Sequence, residues 1–309
     1  MAVIRYLERE EIETHKWNQC IESASNSVIY AYAWYLDIIT DQWGAVILND
    51  YEAVMPLPWR EKFGFCYIYT PAFANPLGIF AVPGLKVHVD QFLETIPGSF
   101  RLWDLNLSID QQQPGSNFKP IKRQNYILDL NNDYPSLFKN FRTSYKQILN
   151  KNNGQLTTRF NILPVEVINF AKVHGGNSVM KASDYQRLLK AYNLLEPKLM
   201  AETVGVYSAA GVLLASGIFF KSEKRIYYIL AGNNPEGRAV GASHLVLDAV
   251  IQKYAGQHLK LDFEGSDIPG IAFFFEGFGA LKENYFYIHN NKLPWWCKWM
   301  KKANESFSA

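Results

Sequence analysis

The chain has 309 residues, of which 48% are hydrophobic and 15% are aromatic. This length exceeds one typical domain and this composition can bury sizeable cores, so both numbers predict two folded domains and exclude a disordered chain. The 31 basic and 29 acidic residues give a formal net charge of +2, which excludes nucleic-acid binding driven by overall charge alone.

The cysteines and the N-terminus bear on the cellular setting. Cys20, Cys66 and Cys297 are far apart, form no CxxC pair and have no histidine at metal-ligand spacing, so we expect reduced thiols and no metal site. The first twenty residues lack the apolar segment of a signal peptide, and no window approaches the roughly 18 consecutive apolar residues of a membrane span. The sequence therefore predicts a cytoplasmic protein without stable membrane insertion.

The first half of the chain shows a strand, a helix, a hairpin and a third strand. The strand is predicted at 3–7 and the helix at 8–21. The hairpin is predicted at 45–48 with 51–58, and the third strand at 65–69. A polar segment with Pro and Gly, 110–119, follows as the best linker in the chain. We therefore place a domain boundary near residue 120.

The second half repeats this order. The predicted ranges are a strand at 126–130, N-cap residues at 131–133, a helix at 134–150, a hairpin at 203–207 with 212–220, a third strand at 225–231, a helix at 242–255 and a strand at 258–264. The first half has no equally clear helix after its third strand and is therefore the degenerate copy. The predicted organisation is a first domain at 1–120, a second at 121–290, and a tail at 291–309.

The tail is rich in Trp and Lys between 293 and 302. Such a composition is typical of an interfacial membrane contact or of a segment that packs on another part of the protein. We favour packing on the first domain, because the segment is short and contains Pro294.

Two carboxylates are the first candidates for acid–base chemistry. Asp262 and Glu264 lie two apart on the last predicted strand, so they share a face and are expected to raise each other's pKa as a base or an amine-binding pair. The alternative is a pair of solvated carboxylates bonded to neighbouring lysines. Glu264 is the better candidate, since it lies nearer the carboxyl end of the strand. Tyr228 and Tyr285 add phenols that can act as acids, although most buried tyrosines only fill space.

The order of elements is also the layout of the GNAT fold. Arg238, Gly241 and Ser243 resemble the GNAT pyrophosphate signature, Arg/Gln-x-x-Gly-x-Gly/Ala, with Ser at the last position. Segments 125–130, 142–151, 241–255, 261–270 and 274–280 are similar to the FemAB-type branch of tandem GNAT proteins. The resemblance implies a mixed α/β (α+β) protein of two tandem GNAT-like domains, each with a mostly antiparallel mixed sheet flanked by helices.

The same resemblance implies a function. It points to an acyltransferase that moves an acyl group from acetyl-CoA or another acyl-CoA to an amine of a small molecule or peptide, with Glu264, Asp262 and Tyr285 in catalysis. The donor site would be formed by Arg238, Gly241, Ala242, Ser243 and Tyr228. Two alternatives stay open: aminoacyl-tRNA as donor with a cell-envelope precursor as acceptor, and a non-catalytic binding protein.

One departure from the family pattern affects this expectation. FemAB-type transferases carry a basic residue in the aromatic segment before Phe-Gly, where this sequence has Glu276. A carboxylate cannot stabilise a carrier phosphate or an oxyanion. Either another cation substitutes, with Lys282, Arg238 and Lys146 as the candidates, or the substrate differs from the best-known one of the family.

Overall fold

The structure is a computed structural model that describes residues 3–108, 113–175, 180–265 and 267–295. Residues 110–112 of the predicted linker and most of the tail, 296–309, lie outside this range. Within the described range, no helix combines the length and the apolar character needed to cross a membrane.

The chain divides into two compact units. Unit 1 contains the residues up to Gln124 and those from Asn284 onward, and unit 2 contains Asn125–Glu283. Residues 121–124 and 284–290, which the sequence analysis gave to the second domain, therefore belong to unit 1. The reason is strand pairing, because the segment from 285 to 291 forms a ladder with a strand of the first half.

The strands, in chain order, are β1 Ile4–Glu8, β2 Gln42–Leu48, β3 Ala53–Lys62, β4 Phe65–Ile68, β5 Phe80–Ala81, β6 Phe100–Ser108, β7 Ile121–Asp129, β8 Thr157–Phe160, β9 Ala201–Tyr207, β10 Leu213–Lys221, β11 Arg225–Asn233, β12 Lys260–Asp262 and β13 Leu281–Asn291. The α-helices are α1 Thr14–Ser23, α2 Ala33–Ile39, α3 Val89–Glu94, α4 Tyr134–Lys139, α5 Thr143–Asn152, α6 Pro164–His174, α7 Ala182–Leu195, α8 Pro235–Val240, α9 Ala242–Tyr254 and α10 Pro269–Glu276.

Each unit contains a mixed set of paired strands. In unit 1, strands β1, β2, β3 and β4 pair antiparallel in that order, β5 adds to β3, β4 runs parallel to β6, and β6 pairs antiparallel with β13. In unit 2, strands β8, β9, β10 and β11 pair antiparallel in order, β11 runs parallel to β12, and β12 pairs antiparallel with β7. The two units thus share one plan, four antiparallel strands, a parallel strand and a closing antiparallel strand, which confirms the predicted fold class.

Apolar residues of the strands and helices form the cores. In unit 1, Met55, Phe92 and Trp103 belong to one buried cluster. In unit 2, residues of β7, β9, β12 and α9 meet in another, to which Tyr126 and Val246 each contribute a fully buried side chain. Their burial is the main stabilising contribution in each unit.

Three predicted elements differ from the observed ones. The helix expected over 8–21 is a 3₁₀ turn at Arg9–Glu11 followed by α1, which begins only at Thr14. The helix expected over 134–150 is two helices, because the backbone at Arg142 is extended, although Asp133 caps α4 as predicted by accepting from the Ser136 N–H. The strand expected over 258–264 covers only Lys260–Asp262. It ends there because Glu264 and Gly265 adopt left-handed backbone conformations.

Helix α10 is held in place by α5. The Arg142 N–H donates to the Gly277 carbonyl at 2.8 Å, and the Tyr145 hydroxyl donates to the Phe274 carbonyl at 3.1 Å. A methyl group added at Gly277 would lie 2.1 Å from the Tyr145 ring. The approach of the Tyr145 ring therefore requires glycine at this position.

We expect Gly277→Ala to lower the free energy of unfolding by about 1–3 kcal/mol, because the added methyl overlaps the Tyr145 ring. Gly270→Ala is the matched control on α10, where the added methyl meets nothing within 4 Å. This control should be neutral or stabilising by about 0.5–1 kcal/mol. Chemical denaturation of both variants tests this, and equal effects would contradict it.

Candidate active site

In unit 2 the parallel strands β11 and β12 stay together for only three residue pairs. The ladder begins at Arg225 opposite Lys260 and ends at Tyr227 opposite Asp262. Strand β11 then continues to Asn233. In the described part of unit 2, one edge of residues 228–233 therefore has no strand partner. Ligands bind outside the carboxyl ends of strands in open α/β sheets, which makes this end of unit 2 the candidate site.

The carboxylate of Asp262 is fully buried at the end of β12. Arg225 Nη1 donates to its Oδ2 at 2.9 Å, and Asn125 Nδ2 donates to its Oδ1 at 3.0 Å. The same guanidinium also contacts Glu283, at 3.2 and 3.4 Å. A buried carboxylate without such partners would cost several kcal/mol, so this ion pair stabilises the end of the strand.

Glu264 follows in a strained turn. Its φ is +62°, a left-handed conformation that costs roughly 1–2 kcal/mol for a residue with a Cβ. Its N–H donates to Asp262 Oδ1 at 2.9 Å, so the carboxylate that binds Arg225 also holds the turn. Its Oε1 is buried and has no hydrogen-bond partner among the described residues. Backbone strain and an unpaired buried oxygen at one residue are typical of functional positions.

Burial also determines the ionisation of the two carboxyl groups. It raises the pKa of Glu264 well above the ordinary value of 4.5, and the negative charge of Asp262 raises that pKa further. Burial raises the pKa of Asp262 too, but Arg225 and the hydrogen bonds from Asn125 and the Glu264 N–H lower it. Of the two carboxyl groups, Glu264 therefore keeps its proton to the higher pH, and once ionised its carboxylate is a stronger base than an exposed one.

The geometry of this pair differs from the prediction. Because β12 ends at Asp262, the two carboxylates do not share a strand face. They are coupled because the Glu264 backbone folds back onto the Asp262 side chain. The alternative of a solvated pair bonded to lysines is also wrong for Asp262, whose buried carboxylate pairs with Arg225.

The residues of the predicted donor turn form a short helix and a helix start, not an open loop. Residues 235–240 form the short helix α8, capped by Asn234, and Arg238 Nη1 donates to the Asn233 carbonyl at 2.6 Å. Gly241, at φ +74°, joins α8 to α9. A methyl group there would lie 2.7 Å from the Ile148 side chain, so packing alone already requires glycine.

The first turn of α9 contains the other two predicted donor residues. Ala242 is fully buried, whereas Ser243 is half-buried. Their N–H groups open a helix of 13 residues and have no partners within that helix. Ser243 is thus the more accessible of the two to a ligand, and the donor assignment stays a prediction.

The two predicted tyrosines lie in different units. Tyr228 is buried in β11 and stacks on Phe219, with ring centroids 4.8 Å apart. Burial raises its pKa, so its phenol stays protonated. Tyr285 lies in β13 opposite Ser108 and belongs to unit 1. The catalytic role of Tyr285 therefore stays a prediction.

The aromatic segment before Phe-Gly has a cation that the sequence analysis missed. Glu276 pairs with Lys282 at 3.2 Å, and Lys146 donates to the Lys139 carbonyl at 2.8 Å. The guanidinium of Arg142 lies 3.5 Å from the centre of the Phe273 ring and donates to the Phe273 carbonyl at 3.1 Å. Arg142 thus supplies positive charge at this segment.

Arg225 and Asn125 were also missed. Arg225 opens the third strand of the second half, and Asn125 precedes the predicted strand at 126–130. Their approach to Asp262 depends on the pairing of β12 with both β11 and β7. The only sign of their role in the sequence is that each of these polar residues lies at the edge of an apolar strand.

Comparison with solved structures shows which fold the chain has. Solved structures similar to this chain include FemX, with a TM-score of 0.62, 11% identity, and 92% of this chain and 97% of that chain covered. A tandem GNAT protein from the clavulanic acid biosynthesis pathway, solved without AcCoA, has a TM-score of 0.52, 13% identity, and coverage of 95% and 99%. L-PGS from Bacillus licheniformis has a TM-score of 0.51, 12% identity, and coverage of 91% and 92%.

No family model matches the sequence, and no curated protein matches it. At these low identities the similarity to solved structures defines the fold and not the activity. The chain has the FemAB-like, tandem GNAT fold.

We expect Glu264→Gln to gain stability relative to the wild type as the pH rises above about 4.5. The native state of the wild type keeps the Glu264 proton at pH values where the unfolded chain has released it, so the wild type loses stability over this range. Glutamine does not titrate and avoids that loss, which amounts to about 1.4 kcal/mol for each unit by which folding raises the pKa.

Urea unfolding of both proteins at several pH values between 4.5 and 8 measures this difference. Glu223→Gln, the same change at an exposed position of unit 2, is the control and should show no such trend. A stability difference between Glu264→Gln and wild type that does not change with pH would contradict the expectation.

Proposed function

We propose that the protein is an N-acyltransferase in which Glu264 is the general base. The observation that supports this most is Glu264, whose backbone is strained and whose buried Oε1 has no partner among the described residues, next to the ion-paired Asp262 at the carboxyl end of a strand in an acyltransferase-type fold. A base with a raised pKa can remove a proton from an amine at neutral pH.

In the proposed reaction the amine nitrogen attacks the carbonyl carbon of a thioester. The new C–N bond forms, the C–S bond breaks, and its electron pair leaves with the sulfur. Glu264 accepts the proton that the nitrogen loses. Asp262 does not need to contact the substrate, because its charge and its bond to the Glu264 N–H hold the base in place.

Acyl-CoA is the proposed donor, with acetyl-CoA as the first to test, and an amine is the proposed acceptor. The donor assignment depends on the similarity of Arg238, Gly241 and Ser243 to the GNAT signature and on the first turn of α9, whose N–H groups suit an anion. The basic residues at the start of α5 do not distinguish aminoacyl-tRNA from acyl-CoA, since the positive charge of Arg142 and Lys146 suits the phosphates of either carrier. A cytoplasmic location remains part of this proposal.

Two measurements on the purified chain test the proposal. Acetyl-CoA at about one hundred times its dissociation constant should stabilise the protein by about 2.7 kcal/mol. With a panel of primary amines, release of free CoA thiol should follow transfer. Glu264→Gln should keep the stabilisation but slow transfer by at least about 100-fold, because general-base catalysis contributes roughly 10²–10⁴-fold.

The control is Glu223→Gln, which should transfer at the wild-type rate. If no acyl-CoA stabilises the protein, the donor assignment is wrong. Transfer that requires aminoacyl-tRNA would support the FemAB-type alternative instead. Binding of acetyl-CoA without transfer to any amine would support a non-catalytic binding protein.

A further inference from the structure

Unit 1 contains a second cluster of titratable side chains, where β6 and β13 pair. Asp104 lies opposite His289 in the ladder, and Asn106 lies opposite Tyr287. Trp103 and Leu105, which alternate with these residues, belong to the apolar core of the unit. The polar side chains therefore share the other face of the sheet.

Asp104 and His289 form a close pair. His289 Nδ1 lies 2.8 Å from Asp104 Oδ1, and the Tyr287 hydroxyl donates to the same oxygen at 2.7 Å. The side chains of Asp104 and His289 are only 12% and 17% exposed. Because a carboxylate only accepts hydrogen bonds, Nδ1 must carry the proton that it shares with Asp104.

This tautomer leaves Nε2 of a neutral His289 with its lone pair. In the described part of the chain Nε2 has no hydrogen-bond partner, since every polar contact of this ring involves Nδ1. A buried carboxylate that holds an imidazole by Nδ1 and leaves Nε2 available is the arrangement of a general base and its positioning residue.

The internal repeat gives an independent reason to consider this pair. Strands β6 and β12 hold the same place in the two units, each parallel to the fourth strand of its unit. Each carries one buried aspartate that contacts a basic side chain, Asp104 with His289 and Asp262 with Arg225. Unit 1, which the sequence analysis described as the degenerate copy, thus retains a charged centre at the corresponding strand.

We propose that His289 and Asp104 form a second acid–base site, in unit 1, that binds a protonated primary amine through His289 Nε2. The amine N–H donates to Nε2. When the proton moves, the N–H bond of the ammonium breaks, its electron pair stays on the amine nitrogen, and a new N–H bond forms at Nε2. Asp104 stabilises the resulting imidazolium, so it is a positioning residue.

The hydrogen-bonding capacity of His289 favours an amine over an anionic ligand at this site. With Nδ1–H directed at Asp104, the lone pair of Nε2 can only accept a hydrogen bond, so it suits the N–H of an ammonium group and not an ionised phosphate or carboxylate, which has only acceptors. The Arg123 guanidinium lies 5.4 Å from the centre of the Tyr287 ring, so the site also contains a positive charge next to Asp104.

The test uses the full chain labelled with ¹⁵N only at its six histidines. We expect the His289 signals to report Nδ1–H and an unprotonated Nε2. n-Butylamine should shift the Nε2 signal saturably at constant pH, whereas n-butanol should not. His289→Asn keeps a donor toward Asp104 but lacks Nε2, so it should bind n-butylamine at least about tenfold more weakly while unfolding at the wild-type temperature.

His15→Asn, at an exposed histidine of unit 1, is the matched control and should leave n-butylamine binding unchanged. Asp104→Asn should remove the preference for the Nδ1–H tautomer and with it weaken the binding of n-butylamine. If the pair had only a structural role, this variant would leave amine binding unchanged. Absence of a saturable shift in the wild type, or an equal shift with n-butanol, would overturn the proposal whether or not the variants fold. None of these measurements involves CoA, so they stand apart from the test of Glu264.

Discussion

The buried ion pair between Asp262 and Arg225 is the constraint on which the rest of unit 2's site depends. Removing Arg225 would leave the buried charge of Asp262 without its counter-ion, at a cost of about 3–5 kcal/mol. The carboxylate also accepts hydrogen bonds from Asn125 and from the Glu264 N–H. One side chain thus connects β7, β11 and the turn after β12. The position of Glu264 follows from this connection, as does the strain in its backbone.

The same connection explains the chemistry that unit 2 offers. Asp262 keeps its charge by pairing with Arg225, whereas Glu264 lies close to that charge with a buried oxygen that has no partner among the described residues. Two neighbouring carboxyl groups in such different surroundings separate into an ionised group and a proton-holding group. The proposed general base depends on this separation. It also makes Glu264 a residue that costs stability, as expected where function and folding compete.

Much of the architecture could be predicted from the sequence, because it depends on local patterns. The third strand of the second half, the N-cap within 131–133 and the glycine before α9 each depend on patterns within a few residues, and the structure confirms all three. The repeated order of elements likewise indicated the tandem GNAT fold. The breaks in 134–150 and after Asp262 were missed, since they depend on contacts of α5 with α10 and on a left-handed turn that propensity does not favour.

The candidate sites were predicted less completely. Glu264 was selected for its place near a strand end, but the geometry that sets it apart depends on Arg225 and Asn125, which lie 37 and 137 residues from Asp262. The pair in unit 1 joins Asp104 to His289 across 185 residues, through a C-terminal strand that returns to the first unit. A single sequence carries no signal for such a pairing, because periodicity describes one strand and not its partner.

The most direct test of this account is the ionisation of Glu264 itself. A ¹³C NMR titration of the glutamate side-chain carboxyl groups, with the Glu264 signal assigned by its absence in Glu264→Gln, measures the pKa in the folded protein. The account predicts a midpoint well above 4.5, because burial and the charge of Asp262 both favour the protonated form. A midpoint at or below 4.5 would contradict it.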